Sequence, residues 1–172
     1  MAGKRRLIAV VLLALGPVLA AAYAVANLVA IRTAVKAQIT GPEWAGGRLA
    51  ADGMTALGRD YWRLVLVVAV LVGVLGVTYA VMGALLWRGG RGRTPLLVVS
   101  GVLIVPYALA VLVVLIIPAK ALAGLYDSPD FAGGVPAWQP ATVLVLVAAG
   151  LAQAVGMAMA AAQGRRATAA RP

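Results

Sequence analysis

The chain has no cysteine, no histidine, one phenylalanine and only five acidic residues against fifteen basic ones in 172 residues. Without cysteine it forms no disulfide and has no thiol nucleophile or thiolate metal site. Without histidine it cannot build a Ser–His dyad, a histidine-ligated haem or the usual zinc ligand set. Charge is scarce as well. Charged residues make up 12% of the chain, about half the share of a typical soluble domain. Hydrophobic residues make up 63%, and the mean hydropathy is +0.99. A soluble core of this size leaves much of its surface in water and cannot hide that much apolar area. Hydrocarbon is the remaining solvent for it.

The charges that are present divide the sequence into long uncharged runs: 7–31, 64–87, 94–119 and 131–164. Each exceeds the roughly 20 residues that cross a bilayer as an α-helix. In lipid a backbone must satisfy its own hydrogen bonds, so helix is expected despite the valine and isoleucine content. The expected architecture is all-α, a single membrane domain built as a bundle of four transmembrane helices. The helices are placed at about 7–31, 62–87, 95–118 and 138–162, with outer loops at 32–61 and 119–137. The inner loop is 88–94, and the short basic tails are 1–6 and 163–172. The first run begins like a signal peptide, with Lys4, Arg5 and Arg6 ahead of it and Ala20, Ala21 and Ala22 where cleavage would fall. It continues apolar to Ile31, well beyond a signal core of about 7–15 residues, so a retained helix is expected.

Orientation follows from the flanking charges. With four spans, both ends and the 88–94 loop share one side. That side holds Lys4, Arg5, Arg6, Arg88, Arg91, Arg93, Arg165, Arg166 and Arg171 and no acid. The opposite side holds all five acids, Glu43, Asp52, Asp60, Asp127 and Asp130. Positive loops stay in the cytoplasm, which predicts cytoplasmic termini. The arginine and alanine bias suggests a bacterial inner membrane. Anionic inner-leaflet lipid is the expected partner of the basic ends and of Arg88, Arg91 and Arg93. The net charge of +10 is not read as a nucleic-acid signal, because the cations sit in short clusters at the ends of apolar runs. Tyr61, Trp62, Trp87 and Trp138 fall at expected interfacial belt positions.

In the outer loops, Leu49, Met54, Leu57 and Tyr61 recur at near-helical spacing, which predicts a short amphipathic surface helix over 48–61 with an Arg48–Asp52 pair. Asp127, Ser128, Pro129 and Asp130 predict a turn.

Within the spans, small residues recur every three or four positions. Gly16, Ala20 and Ala24 lie in the first run, Gly73, Gly76, Ala80 and Gly83 in the second, and Gly150, Ala154 and Ala158 in the fourth. Small residues let helices approach closely in lipid, so these ten are the candidate packing faces. Pro17 and Pro106 predict kinks near mid-span. Thr78, Tyr107 and Gln153 fall at similar depth and form a candidate intramembrane polar cluster. No Asp, Glu, Lys, Arg or His lies inside a span, where proton-coupled transporters usually carry one. Small four-helix drug exporters resemble the chain in size and topology, but they depend on an embedded glutamate that is missing here.

Catalytic, cofactor-binding and metal-holding constellations are all absent from the sequence, which predicts a non-enzymatic protein without a cofactor. The expected role is an accessory, assembly or interaction protein that binds other membrane proteins, or itself, through its small-residue faces. The alternative is a component of an oligomeric channel or facilitative transporter lined near Thr78 and Gln153.

Overall fold

The computed structural model of the chain describes residues 2–44, 46–88 and 93–169. Every regular element among them is helical. The order is α1 (Ala2–Thr40), α2 (Ala56–Arg88), α3 (Arg93–Val102), α4 (Ile104–Ile116), α5 (Ala119–Leu125), α6 (Pro129–Gly134), a 3-10 turn (Gln139–Ala141) and α7 (Thr142–Ala169). Four helical stretches are long and apolar enough to cross a membrane: Arg6–Thr40, Ala56–Trp87, Thr94–Ile116 and Gln139–Gln163. Arg91 and Arg171 lie outside the described residues.

α1, α2 and α7 pack together as a three-helix core, while the third span (α3 and α4) leans on α2 and α7 from outside. Only 11% of that span's most apolar window is buried, against 28–39% for the others. Most of its Leu, Val and Ile residues, Val98, Val102, Ile104 and Ile116 among them, are exposed, whereas Leu96, Leu103, Val111, Val113 and Val114 are partly buried against the core. The core proper contains Tyr23, Ile31, Val65, Val72, Phe131 and Leu146, all almost fully buried.

Several expected boundaries move. α1 continues nine residues past Ile31 because 32–40 is rich in helix-forming Ala, Lys and Gln, and Ala34 and Val35 bury against the outer segments. At about 1.5 Å per residue the helix is roughly 58 Å long, well beyond the hydrocarbon thickness of a bilayer, about 30 Å. It stops at Gly41-Pro42. The amphipathic helix expected over 48–61 is absent. Residues 46–50 are non-helical, 51–53 form a turn, and helix resumes only at Ala56. Gly46 and Gly53 take positive φ, which breaks helical winding. Asp52 caps the Met54 N–H instead of pairing with Arg48. Met54, Leu57 and Tyr61 are still buried, whereas Leu49 is exposed. The second outer loop is not a simple connector either, since it contains α5 and α6 around the turn at Asp127.

The two prolines behave differently. The helix of the third span is interrupted at Leu103, between α3 and α4. Pro106 has no N–H for the carbonyl of Val102, the last residue of α3. Pro17 is contained in an unbroken α1, where its ring lies close against Gly76 of α2.

Candidate functional site

Two buried polar regions and one open groove emerge from this packing. The first polar region closes the core at the end away from the termini. The Asn27 side chain donates to the Tyr23 carbonyl at 3.0 Å and to Thr142 Oγ1 at 3.2 Å, and its Oδ1 accepts from Gln139 Nε2 at 2.9 Å. Gln139 Nε2 also donates to the Tyr61 hydroxyl at 2.8 Å, and Thr142 donates to the Gln139 carbonyl. Asn27, Tyr61, Gln139 and Thr142 are each at most 5% exposed. α1, α2 and α7 are thus tied by a paired network. Tyr61, expected as an interfacial belt residue, belongs to the interior.

Above this network, the outer segments clasp one another. Gln38 donates to Ser128 Oγ at 3.0 Å and accepts from Thr55 Oγ1 at 2.7 Å, and Thr55 caps the Gly58 N–H. Tyr126 donates to Asp60 Oδ2 at 2.7 Å, and that hydrogen bond raises the phenol's pKa. The Glu43 N–H donates to Asp130 Oδ2. Among the described residues no three Asp or Glu side chains gather in a metal-holding group.

The second polar region is a single side chain. Gln153 is 2% exposed, and neither its Nε2 nor its Oε1 has a hydrogen-bond partner. Gly16 of α1 and Gly76 of α2 make room for it. A β-carbon at Gly16 would stand 1.7 Å from Nε2, and one at Gly76 would stand 2.5 Å from it and 2.9 Å from the Pro17 ring. The three helices therefore meet around an amide that fills a notch of two glycines beside a proline.

Next to that amide, on the outside of the bundle, lies a groove of about 410 Å³. One wall is α3–α4, with Leu97, Gly101, Ile104 and Ala108. The other is α7, with Gly150, Gln153, Ala154, Met157, Ala158 and Ala161. Tyr79 and Tyr107 span the floor. Their hydroxyls reach across to backbone carbonyls, Tyr79 to Ser100 and Tyr107 to Leu146. These two bonds pin the third span where side-chain packing is thin. Gly150 matters here, because a β-carbon on it would meet the Tyr107 ring at 2.8 Å. Leu97, Gly101, Ile104, Ala108, Ala154 and Ala158 are exposed, so the groove opens sideways.

The ten small residues therefore divide. Gly16, Ala20, Gly76 and Gly83 are buried inside the bundle, and Ala24, Gly73 and Ala80 are partly so. Gly83 accommodates Leu13 and lies near Met157, and Gly73 faces Ala20. Gly150, Ala154 and Ala158 line the groove. Of the expected polar cluster, Tyr107 and Gln153 share the groove, but Thr78 is apart, its hydroxyl donating to the Val74 carbonyl at 2.8 Å. The network through Gln139 was not foreseen. Asn27 inside an apolar run was its one visible signal. Comparison with protein-family models, with characterised proteins and with solved structures finds no match.

Proposed function

We propose that this is a non-enzymatic membrane interaction protein that receives a helix of another membrane protein in the groove between its third span and α7. The open groove of small residues beside an otherwise closed core carries the reading. Helices associate in lipid by close van der Waals approach, for which Gly101, Ala108, Ala154 and Ala158 are suited. Lipid-exposed backbone held by so little neighbouring contact is also the part of the fold most open to repacking around a partner. The charge distribution supports a bacterial plasma membrane location with both ends cytoplasmic, since the nine cations at the terminal side face no acid. On that orientation the groove lies toward the inner leaflet. A channel role has less support, because a conduction path needs polar lining along the axis and this groove is apolar and lateral.

The cysteine-free sequence makes the test direct. A photoactivatable maleimide on Ala154→Cys, activated in native membranes, is expected to give a discrete protein adduct. The same probe on Val67→Cys, a lipid-facing site of α2 that is 64% exposed, is expected to give none. Lipid adducts alone at both positions would remove the support for this reading.

A further inference from the structure

At the end of the bundle opposite the Asn27 network, three helices each bring one polar residue to the same level. Leu13 of α1 fills the space beside both Gly83 of α2 and Gly156 of α7. From there each helix continues on the same face, by whole turns, to a polar side chain: Arg6 seven residues before Leu13, Trp87 four after Gly83 and Gln163 seven after Gly156. The Arg6 guanidinium lies over the Trp87 ring, 5.7 Å from its centroid. Trp87 and Gln163 are partly exposed, yet the indole Nε1 and the amide Nε2 are covered and have no acceptor. Both are donors, and donors left unpaired out of water are rare and costly. No acidic side chain of the protein answers them or Arg6. All five acids, Glu43, Asp52, Asp60, Asp127 and Asp130, lie at the other end of the long helices. The three residues also stand where apolar sequence stops. Arg6 directly precedes the first uncharged run, Trp87 closes the second, and Gln163 is next to last in the fourth.

We propose that Arg6, Trp87 and Gln163 form a binding site for the phosphodiester of an anionic phospholipid. The proposal rests on the membrane crossings proposed above and is independent of the groove. At the end of a spanning stretch hydrocarbon gives way to headgroups, so a phosphate is the acceptor met at this level. Its charge pairs with Arg6. Its two non-bridging oxygens accept from the indole and amide N–H groups, and bonds to an ionised acceptor are stronger than neutral ones. Arg6 is exposed, and the Gln163 amide turns outward about its own torsions, so the phosphate enters without moving a helix. Lys4, also exposed and within one turn of Arg6, adds a second cation. That pair of cations disfavours the ammonium of a zwitterionic headgroup, so phosphatidylglycerol is preferred to phosphatidylcholine.

The test is native mass spectrometry of the purified protein in detergent, after addition of phosphatidylglycerol, phosphatidylcholine or inorganic phosphate. Thermal melts without lipid are measured alongside. Retention of one phosphatidylglycerol per chain is expected, with phosphatidylcholine held more weakly. Arg6→Gln is expected to lower retention about fivefold, the contribution of one cation near a lipid surface. Trp87→Phe keeps the ring face and removes only the N–H, so a loss of about threefold is expected, the size of one membrane hydrogen bond. Arg32→Gln, exposed on α1 well away from this end, should change nothing. Because Arg6 is exposed, Arg6→Gln should melt like the parent, and it decides alone if Trp87→Phe does not fold. Retention that survives Arg6→Gln, or that falls equally with Arg32→Gln, overturns the site. Phosphatidylcholine held as well as phosphatidylglycerol overturns the choice of lipid. Inorganic phosphate bound through Arg6 with no lipid retained overturns the lipid as the source of the phosphate. None of these readouts involves the groove, so failure here leaves the helix-docking reading standing, and failure of the Ala154→Cys crosslink leaves this site standing.

Discussion

Gly76→Leu is expected to prevent the three-helix core from assembling, at a cost of about 3 kcal/mol or more from overpacking. Even a single β-carbon there meets Gln153 Nε2 at 2.5 Å, the Pro17 ring at 2.9 Å and the Pro17 backbone nitrogen at 3.0 Å. The amide can swing aside. The proline ring and backbone cannot move without shifting α1 bodily. Gly76→Ala should therefore destabilise too, although alanine favours helix over glycine by about 1 kcal/mol. Three residues earlier the sign reverses. A β-carbon at Gly73 meets only the Ala20 methyl at 4.0 Å, an ordinary contact, so Gly73→Ala should be neutral or stabilising. Thermal melts of the two alanine variants in one detergent separate these outcomes. A Gly76→Ala protein as stable as Gly73→Ala would show that α1 and α2 do not meet as described.

The second large effect belongs to the Asn27 network. Asn27→Leu removes an acceptor from Gln139 and a donor to Thr142 at sites almost without exposure. One Gln139 N–H is left unpaired, and the expected loss is about 1–3 kcal/mol. Gln139→Leu should cost a similar amount by stranding the Asn27 acceptor. Combined, the two leucines strand neither group, so the double variant is expected to lose clearly less than the sum of the singles. Additive losses in thermal unfolding would mean that the two amides act independently and do not pair.

The four long apolar helices were legible because an ionised group is too costly in hydrocarbon, so charge-free runs mark stretches able to cross a membrane. The ends were less legible. Residues 32–40 carry Arg32 and Lys36, which read as loop, yet α1 stays helical there with Ala34 and Val35 buried. α5 and α6 are too short for periodicity to separate them from a turn. The candidate site shows the same division. Height along a helix can be counted from the sequence, and it grouped Thr78 with Gln153. Direction around the axis cannot be counted without knowing the neighbours. Thr78 is two residues beyond Gly76, on the far side of α2 from the glycine notch, and so falls outside the groove. The small-residue stripes were readable for the same reason that they were ambiguous. Glycine and alanine mark close approach, but only the fold separates Gly76, closed against Pro17, from Ala154, left open at the surface.

Every functional statement rests on four membrane crossings with the basic ends inside, and single-cysteine labelling examines that most directly. Gly3 and Ala51 are both exposed and stand at opposite ends of the bundle. In intact cells a membrane-impermeant maleimide is expected to label Ala51→Cys fully, and to label Gly3→Cys only after the membrane is opened. Labelling of Gly3→Cys in intact cells would contradict the orientation, and recovery of the protein in the soluble fraction without detergent would contradict the crossings themselves.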